Sequence, residues 1–98
     1  MTTTSTEVAS YWIDPNGASH EVGAGIQATH HRWITRHRGI TVDAAEDDGW
    51  HRVVVLPSSG ELFTYGRVPL TVRQQEEVTR LATRHGTPNV RTWVRGHP

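Results

Sequence analysis

Cysteine is absent from this 98-residue chain. That excludes a disulfide framework, thiolate metal ligation and thiol redox chemistry. Lysine is absent too, so all 10 basic residues are Arg. A GC-rich coding sequence produces this bias. It also supplies the residue best suited to bidentate contacts with carboxylate or phosphate and to stacking on aromatic rings. No charge excess is present: 10 Arg balance 10 acidic residues when the seven His are neutral, which argues against generic polyanion binding. No apolar run approaches the roughly 18 residues of a membrane span. Residues 1–10 are polar and Thr-rich, without the basic start and apolar centre of a secretory signal. The expectation is a soluble cytoplasmic protein with no membrane partner.

Aliphatic side chains are scarce as well. Leu, Ile, Val and Phe total 20 residues, near the level of roughly 20% below which a highly charged chain stays disordered. Zero net charge and the aromatics offset this. Trp12, Trp33, Trp50 and Trp93 can each bury roughly 150–250 Å² and are expected to supply much of the core. A chain of this length fits one domain, with a disordered tail over residues 1–9 and an α+β domain over 10–96. Such a domain folds with little margin, which dimerisation would widen.

Local patterns give the element order. Tyr11-Trp12-Ile13 is β-prone and meets Asp14-Pro15-Asn16-Gly17, a turn in which Pro presets φ and Gly tolerates positive φ. His20-Glu21-Val22 is the return strand. Gly23-Ala24-Gly25 reads as a flexible joint. Ile26, His30, Trp33, Ile34 and His37 then share one helical face, with Thr29 as an N-cap and Gly39 after the end. Ile40-Thr41-Val42 reads as a short strand and residues 43–49 as an acidic loop or helical turn. Residues 50–56 form a strand buried on both faces. Pro57-Ser58-Ser59-Gly60 turns the chain into a further strand at 61–65.

Thr71-Val72-Arg73-Gln74 fits a capping box. Val78, Leu81, Ala82 and His85 make the apolar stripe of the helix it opens, and Arg73–Glu77 and Glu76–Arg80 are i,i+4 pairs. Gly86 and Pro88 end that helix. Residues 89–95 form a last strand, and 96–98 a tail. The predicted order is ββα-ββα-β: a mostly antiparallel sheet of four or five strands with both of its two helices on one face. The repeated ββα unit reads either as a duplication or as two units built by the same rules.

Catalytic and metal motifs are missing. No Gly-x-Ser-x-Gly, phosphate-cradling Gly-rich loop or thiol nucleophile occurs. His30 and His37 share a face but lie about 10.5 Å apart along a helix axis, too far for one metal ion. Together with His85 they read as histidines at the edge of apolar stripes. Asp43, Glu46, Asp47, Asp48 and Gly49 lack the spacing of a calcium loop: with Gly49 at position 6, Ala44 falls at position 1 and Val55 at 12. No cofactor is expected, and a small metal-dependent enzyme ranks last among the readings.

The chemistry-bearing constellation is the last strand. In an extended chain Val90, Thr92 and Val94 face one way and Arg91, Trp93 and Arg95 the other. An indole flanked by two guanidinium groups suits a protein hot spot or base stacking with phosphate neutralisation. Structural burial of Trp93 under a helix is the third alternative. Arg32 and Arg36, four residues apart, form a second basic stripe. The expected function is a non-enzymatic protein-binding or regulatory module acting through Arg91, Trp93 and Arg95. Nucleic-acid binding, with Arg32 and Arg36 added, is the alternative. The acidic segment of one copy facing the basic face of another makes a homodimer a further expectation.

Trp12-Ile13-Asp14-Pro15-Asn16-Gly17, His31-Arg32-Trp33-Ile34, Gly49-Trp50-His51-Arg52-Val53 and the helix bearing Gln74 and Gln75 span residues 11–95. In this pattern the chain resembles small proteins of actinobacteria, their phages and mobile elements. That group has no assigned activity, so no functional residue carries over. The resemblance implies an accessory intracellular protein of the kind phages and mobile elements encode.

Overall fold

A computed structural model describes residues 8–24 and 27–95. Most of the expected N-terminal tail, Gly25 and Ile26 of the joint and first helix, and residues 96–98 lie outside the described residues. Five strands form one sheet in the order β2-β1-β3-β4-β5: β1 (Ala9–Ile13), β2 (Ser19–Ala24), β3 (His51–Leu56), β4 (Glu61–Gly66) and β5 (Asn89–Val94). Three helices accompany it: α1 (Gln27–Arg38), α2 (Val42–Asp47) and α3 (Val72–His85). The fold is α+β, as the sequence pattern predicts. β1, β2, β3 and β4 pair antiparallel, whereas β5 runs parallel to β4. Parallel neighbours need a crossover connection, and α3 provides it.

The first hairpin closes as the turn chemistry dictates. Gly17 N–H donates to Asp14 O at 2.9 Å. Asp14 Oδ1 accepts from Asn16 N–H (2.9 Å) and Ala18 N–H (3.0 Å). The α3 capping box forms in full: Gln74 N–H donates to Thr71 Oγ1, and Thr71 N–H donates to Gln74 Oε1. Gly86 closes the helix at φ 66°, a left-handed conformation that costs a residue without Cβ little. Gln74 also reaches beyond its own helix. It is fully buried, and its Nε2 donates to Asp14 O (3.0 Å) and Gly49 O (2.8 Å), tying α3 to two loops at once.

The helices divide between the two faces of the sheet, which corrects the expectation of one shared face. Tyr11, Ile13, Val53, Val55 and Leu62 pack against Val78, Leu81 and Ala82 of α3. Trp12 points the other way and packs with Ile34 of α1, Val42 and Ala45 of α2, and Trp50. A three-residue apolar run in β1 has no polar side to leave in water, so both faces need cover. Antiparallel β1–β3 pairing would relate two equal ββα units by an axis normal to the sheet, with both helices on the same side. Opposite sides therefore leave the two units as similar local builds without that symmetry.

Several local expectations change. The stretch read as a strand at 40–42 instead caps α2: Ala44 N–H donates to Thr41 Oγ1 at 3.1 Å. Thr29 lies inside α1 rather than at its N-cap. Glu77 pairs with Arg80 three residues on, and accepts from Ser19 Oγ at 2.5 Å, in place of the two i,i+4 pairs. His30 is fully buried and not at a stripe's edge: its Nε2 lies 3.0 Å from Tyr11 O, and its ring meets Trp12 edge-on.

Candidate functional site

Register places the site. β4 presents Leu62, Thr64 and Gly66 to α3, and Glu61, Phe63 and Tyr65 to the opposite face. Parallel pairing sets Phe63 beside Arg91 and Tyr65 beside Trp93. Arg91 and Trp93 therefore share the Phe63/Tyr65 face, while Val90, Thr92 and Val94 share the α3 face, the alternation predicted for an extended last strand.

On the face opposite α3, α1 covers β2 and β1, and α2 reaches Arg52, Arg67 and Arg95 through its carboxylates, while Phe63 and Tyr65 stay partly exposed and Trp93 largely so. Phe63 and Tyr65 are half-buried and stack with ring centroids 6.4 Å apart. Arg52 lies over the Tyr65 ring at 5.6 Å. Trp93 is 52% exposed. The other three indoles enter the core, with Trp12 and Trp50 buried and Trp33 half-buried. Of the four tryptophans available to the core, Trp93 stays outside it, because β5 is an edge strand and Trp93 is not covered by a helix.

The arginines of this face have acidic partners in their own chain. Arg91 Nε lies 3.3 Å from Glu61 Oε2. Arg95 lies 3.5 Å from Asp43 and 3.8 Å from Glu46. Arg67 lies 3.1 Å from Asp43 and 3.0 Å from Asp47. Glu46 is buried on α2, accepts from Arg52 Nε at 2.9 Å and sits within 3.7 Å of Arg67. Four arginines (52, 67, 91 and 95) therefore meet four carboxylates (43, 46, 47 and 61), and the local charge is zero. The segment read as an acidic loop or helical turn is the short helix α2, which supplies three of those carboxylates.

Arg32 and Arg36 are exposed on α1, where they line a groove of about 760 Å³ with Val22, Trp33 and His37. They make no ion pair among the described residues. α1 packs over β1 and β2, at the opposite side of the sheet from β5. The fold does not join the two basic stripes into one surface. The groove beside them has an aromatic wall: Trp33 stacks on His37 at 4.4 Å, and His20 lies against both Trp33 and Trp50. His20 Nε2 also pairs with Asp14 Oδ2 at 3.0 Å. Burial pushes the Asp14 carboxyl up, but bonds from His20 and from the Ala18 and Asn16 amides outweigh it and leave Asp14 below its ordinary pKa.

Phe63 and Tyr65 escape a reading of the sequence. Leu62/Thr64 against Phe63/Tyr65 is an alternation the sequence does carry, but only the parallel pairing with β5 puts those rings beside Trp93. Among the described residues no three His, Asp or Glu side chains gather to hold a metal ion, and no helix is long and apolar enough to cross a membrane. Neither a protein-family model, nor a curated protein, nor a solved structure matches the chain.

Proposed function

We propose that this protein is a small non-enzymatic binding module that docks another protein on the open β4–β5 face. The observation that carries the reading is Trp93, a half-exposed indole beside Tyr65 and Phe63 and framed by Arg91 and Arg95. Large aromatics and Arg are the side chains most often found as interface anchors: the rings bury much area at low entropy cost, and the guanidinium offers a planar fork of donors. The ion pairing favours protein over nucleic acid. A phosphate would have to displace Glu61 from Arg91, and Asp43 and Glu46 from Arg95. A partner with its own mixed polar rim can instead share those pairs. The resemblance to accessory proteins of phages and mobile elements fits a module that acts by occupying a host component.

Affinity capture from cells that express the protein, with wild type and Trp93→Ala side by side, tests this reading. A protein retained by wild type and lost with the variant supports it. In a gel shift, short DNA and RNA at low salt are expected to stay free at tens of micromolar protein. A shift that weakens steeply with added salt would replace the protein-partner reading with the nucleic-acid one.

A further inference from the structure

β5 ends the sheet, and its outer edge carries a second feature, distinct from the face described above. Asn89 N–H donates to Gly60 O and Arg95 N–H to Gly66 O. In a parallel pair the residues that bond one neighbour alternate with those that point away. Asn89, Arg91, Trp93 and Arg95 therefore direct their amides at β4. Val90, Thr92 and Val94 direct theirs outward.

Edge strands are usually blunted by Pro, Lys, a bulge or covering chain. Between Asn89 and Val94 there is no Pro, the one charged side chain, Arg91, is paired with Glu61 of its own chain, and the β4–β5 register runs without a shift. The side chains along the strand are exposed on both faces, Val90 at 43%. On the α3 side, Val90, Thr92 and Val94 form one wall of a groove of about 460 Å³, with Leu70, Val78 and Thr79 opposite.

We infer that this edge pairs with the same edge of a second copy, antiparallel about a two-fold axis through Thr92, to give one continuous sheet. The register follows from charge and shape. Centred on Thr92, the strands place Val90 opposite Val94 of the second copy, and Arg91 opposite Trp93. Outward amides then meet outward amides, so the Thr92–Thr92 and Val90–Val94 pairs each exchange two backbone hydrogen bonds. Arg91 and Trp93 fall in the closer, non-hydrogen-bonded pairs, where a guanidinium can lie on an indole. Centred on Arg91, the same strands would set Arg91 against Arg91. Centred on Trp93, they would set Arg91 against Arg95. Both put like charges in contact, whereas the Thr92 register pairs Val90 through Val94 of both copies without a like-charge contact. The formal net charge of zero adds no repulsion between copies. Such an interface is isologous and closes at two copies. It brings the Trp93 residues of both copies to the seam and leaves the Phe63 and Tyr65 rings of each copy on the same face of the joined sheet.

Sedimentation or light scattering over a concentration series, with one engineered thiol per chain, tests the inference. The expected mass at high concentration is twice the 11.0 kDa of one chain. The protein has no native Cys, so Thr92→Cys places a single sulfur on the axis. Its Cα atoms would lie about 5.5 Å apart, within disulfide reach. Thr92→Cys should cross-link under mild oxidation at least tenfold faster than Val90→Cys or Arg91→Cys. Thr92→Pro, which removes only an outward N–H, should give a folded monomer. Circular dichroism of Thr92→Pro checks the fold, and the thiol series stands without it. A chain that stays monomeric at hundreds of micromolar overturns the inference and leaves the edge to a strand from another protein. So does a Thr92→Cys chain that cross-links no faster than its neighbours. Trp93 belongs to both the face and the proposed seam, so Thr92→Pro separates the two readings: capture kept by a monomeric Thr92→Pro chain leaves the face reading standing without the dimer, and a dimer that captures no protein leaves the edge reading standing without the face.

Discussion

The ring of His51 occupies the place where a side chain on Gly66 would sit. A Cβ built at Gly66 falls 2.3 Å from His51 Nδ1 and 2.5 Å from its Cε1. Both residues are buried on the face of the sheet that carries α3, and neither ring nitrogen of His51 has a hydrogen-bond partner among the described residues. Gly66 is thus required by a neighbouring strand and not by its own backbone. Gly66→Ala is expected to cost about 1–3 kcal/mol through overpacking. His51→Ala in the same chain should return part of that loss. Urea denaturation of the two single variants and the double variant measures the coupling.

Burial holds the His51 imidazole below its ordinary pKa. His85, whose Nε2 lies 2.7 Å from Tyr11 Oη, is lowered first by burial and then by Arg84. A histidine with a depressed folded pKa binds its proton more readily in the unfolded chain, so stability rises with pH across the window. The protein should hold full stability above roughly pH 6.5, the unfolded histidine value, and lose it as pH falls below that point. Denaturation midpoints at pH 7.5, 6.5 and 5.5 check this. His51→Leu should flatten the profile and leave neutral-pH stability equal or higher, because it removes buried polar atoms that have no partner.

Gln74 joins the α3 cap to the Asp14 and Gly49 carbonyls. Gln74→Ala removes three part-buried hydrogen bonds, each worth about 0.5–1.5 kcal/mol net. The expected loss is about 2–4 kcal/mol in chemical denaturation. Gln75→Ala, one position along and exposed, should stay within about 0.5 kcal/mol of wild type.

Glu77 lies below its ordinary pKa, chiefly because Arg80 bonds it, with burial opposing and Ser19 helping. A depressed carboxylate contributes stability above its unfolded pKa of about 4.3, and that contribution disappears as pH falls below it. Glu77→Gln should therefore cost stability at pH 7 and nothing at pH 2. Ser19 on β2 and Arg80 on α3 both donate to this carboxylate, and Arg80 Nη2 lies 3.4 Å from Ser19 Oγ, so the variant also loosens the β2 edge. Hydrogen exchange at residues 19–22 reads that second effect.

Much of this architecture is legible in the sequence, and the reasons differ by element. The Asp14-Pro15-Asn16-Gly17 turn, the Thr71/Gln74 box and the Val53-Val54-Val55 centre strand are local patterns, and each forms as read. The side on which α1 packs is not local. Tyr11-Trp12-Ile13 has no polar residue to mark an outer face, so either side fits until Trp12 is seen under α1 and α2. The short α2 hides in an acidic stretch whose carboxylates look solvated, yet Glu46 is buried among Arg52, Arg67 and Arg95. For the site, alternation alone places Arg91, Trp93 and Arg95 together. It cannot bring in Phe63 and Tyr65, because nothing local states that β5 runs parallel to β4. His51 shows the same limit: a histidine among valines gives no sign that it will lie across a glycine on the next strand.

Trp93 makes the docking surface separable from the fold. Its side chain is half-exposed on an edge strand, so Trp93→Ala is expected to cost less than about 1 kcal/mol of stability. Once a captured partner is purified, titration calorimetry against wild type, Trp93→Ala and the Arg32→Ala/Arg36→Ala double variant tests the open-face account most directly. The account predicts that Trp93→Ala weakens binding at least about 30-fold, the effect of a hot-spot residue, while the double variant on α1 changes it by less than about threefold. Binding unchanged in Trp93→Ala and lost in the α1 variant would contradict it.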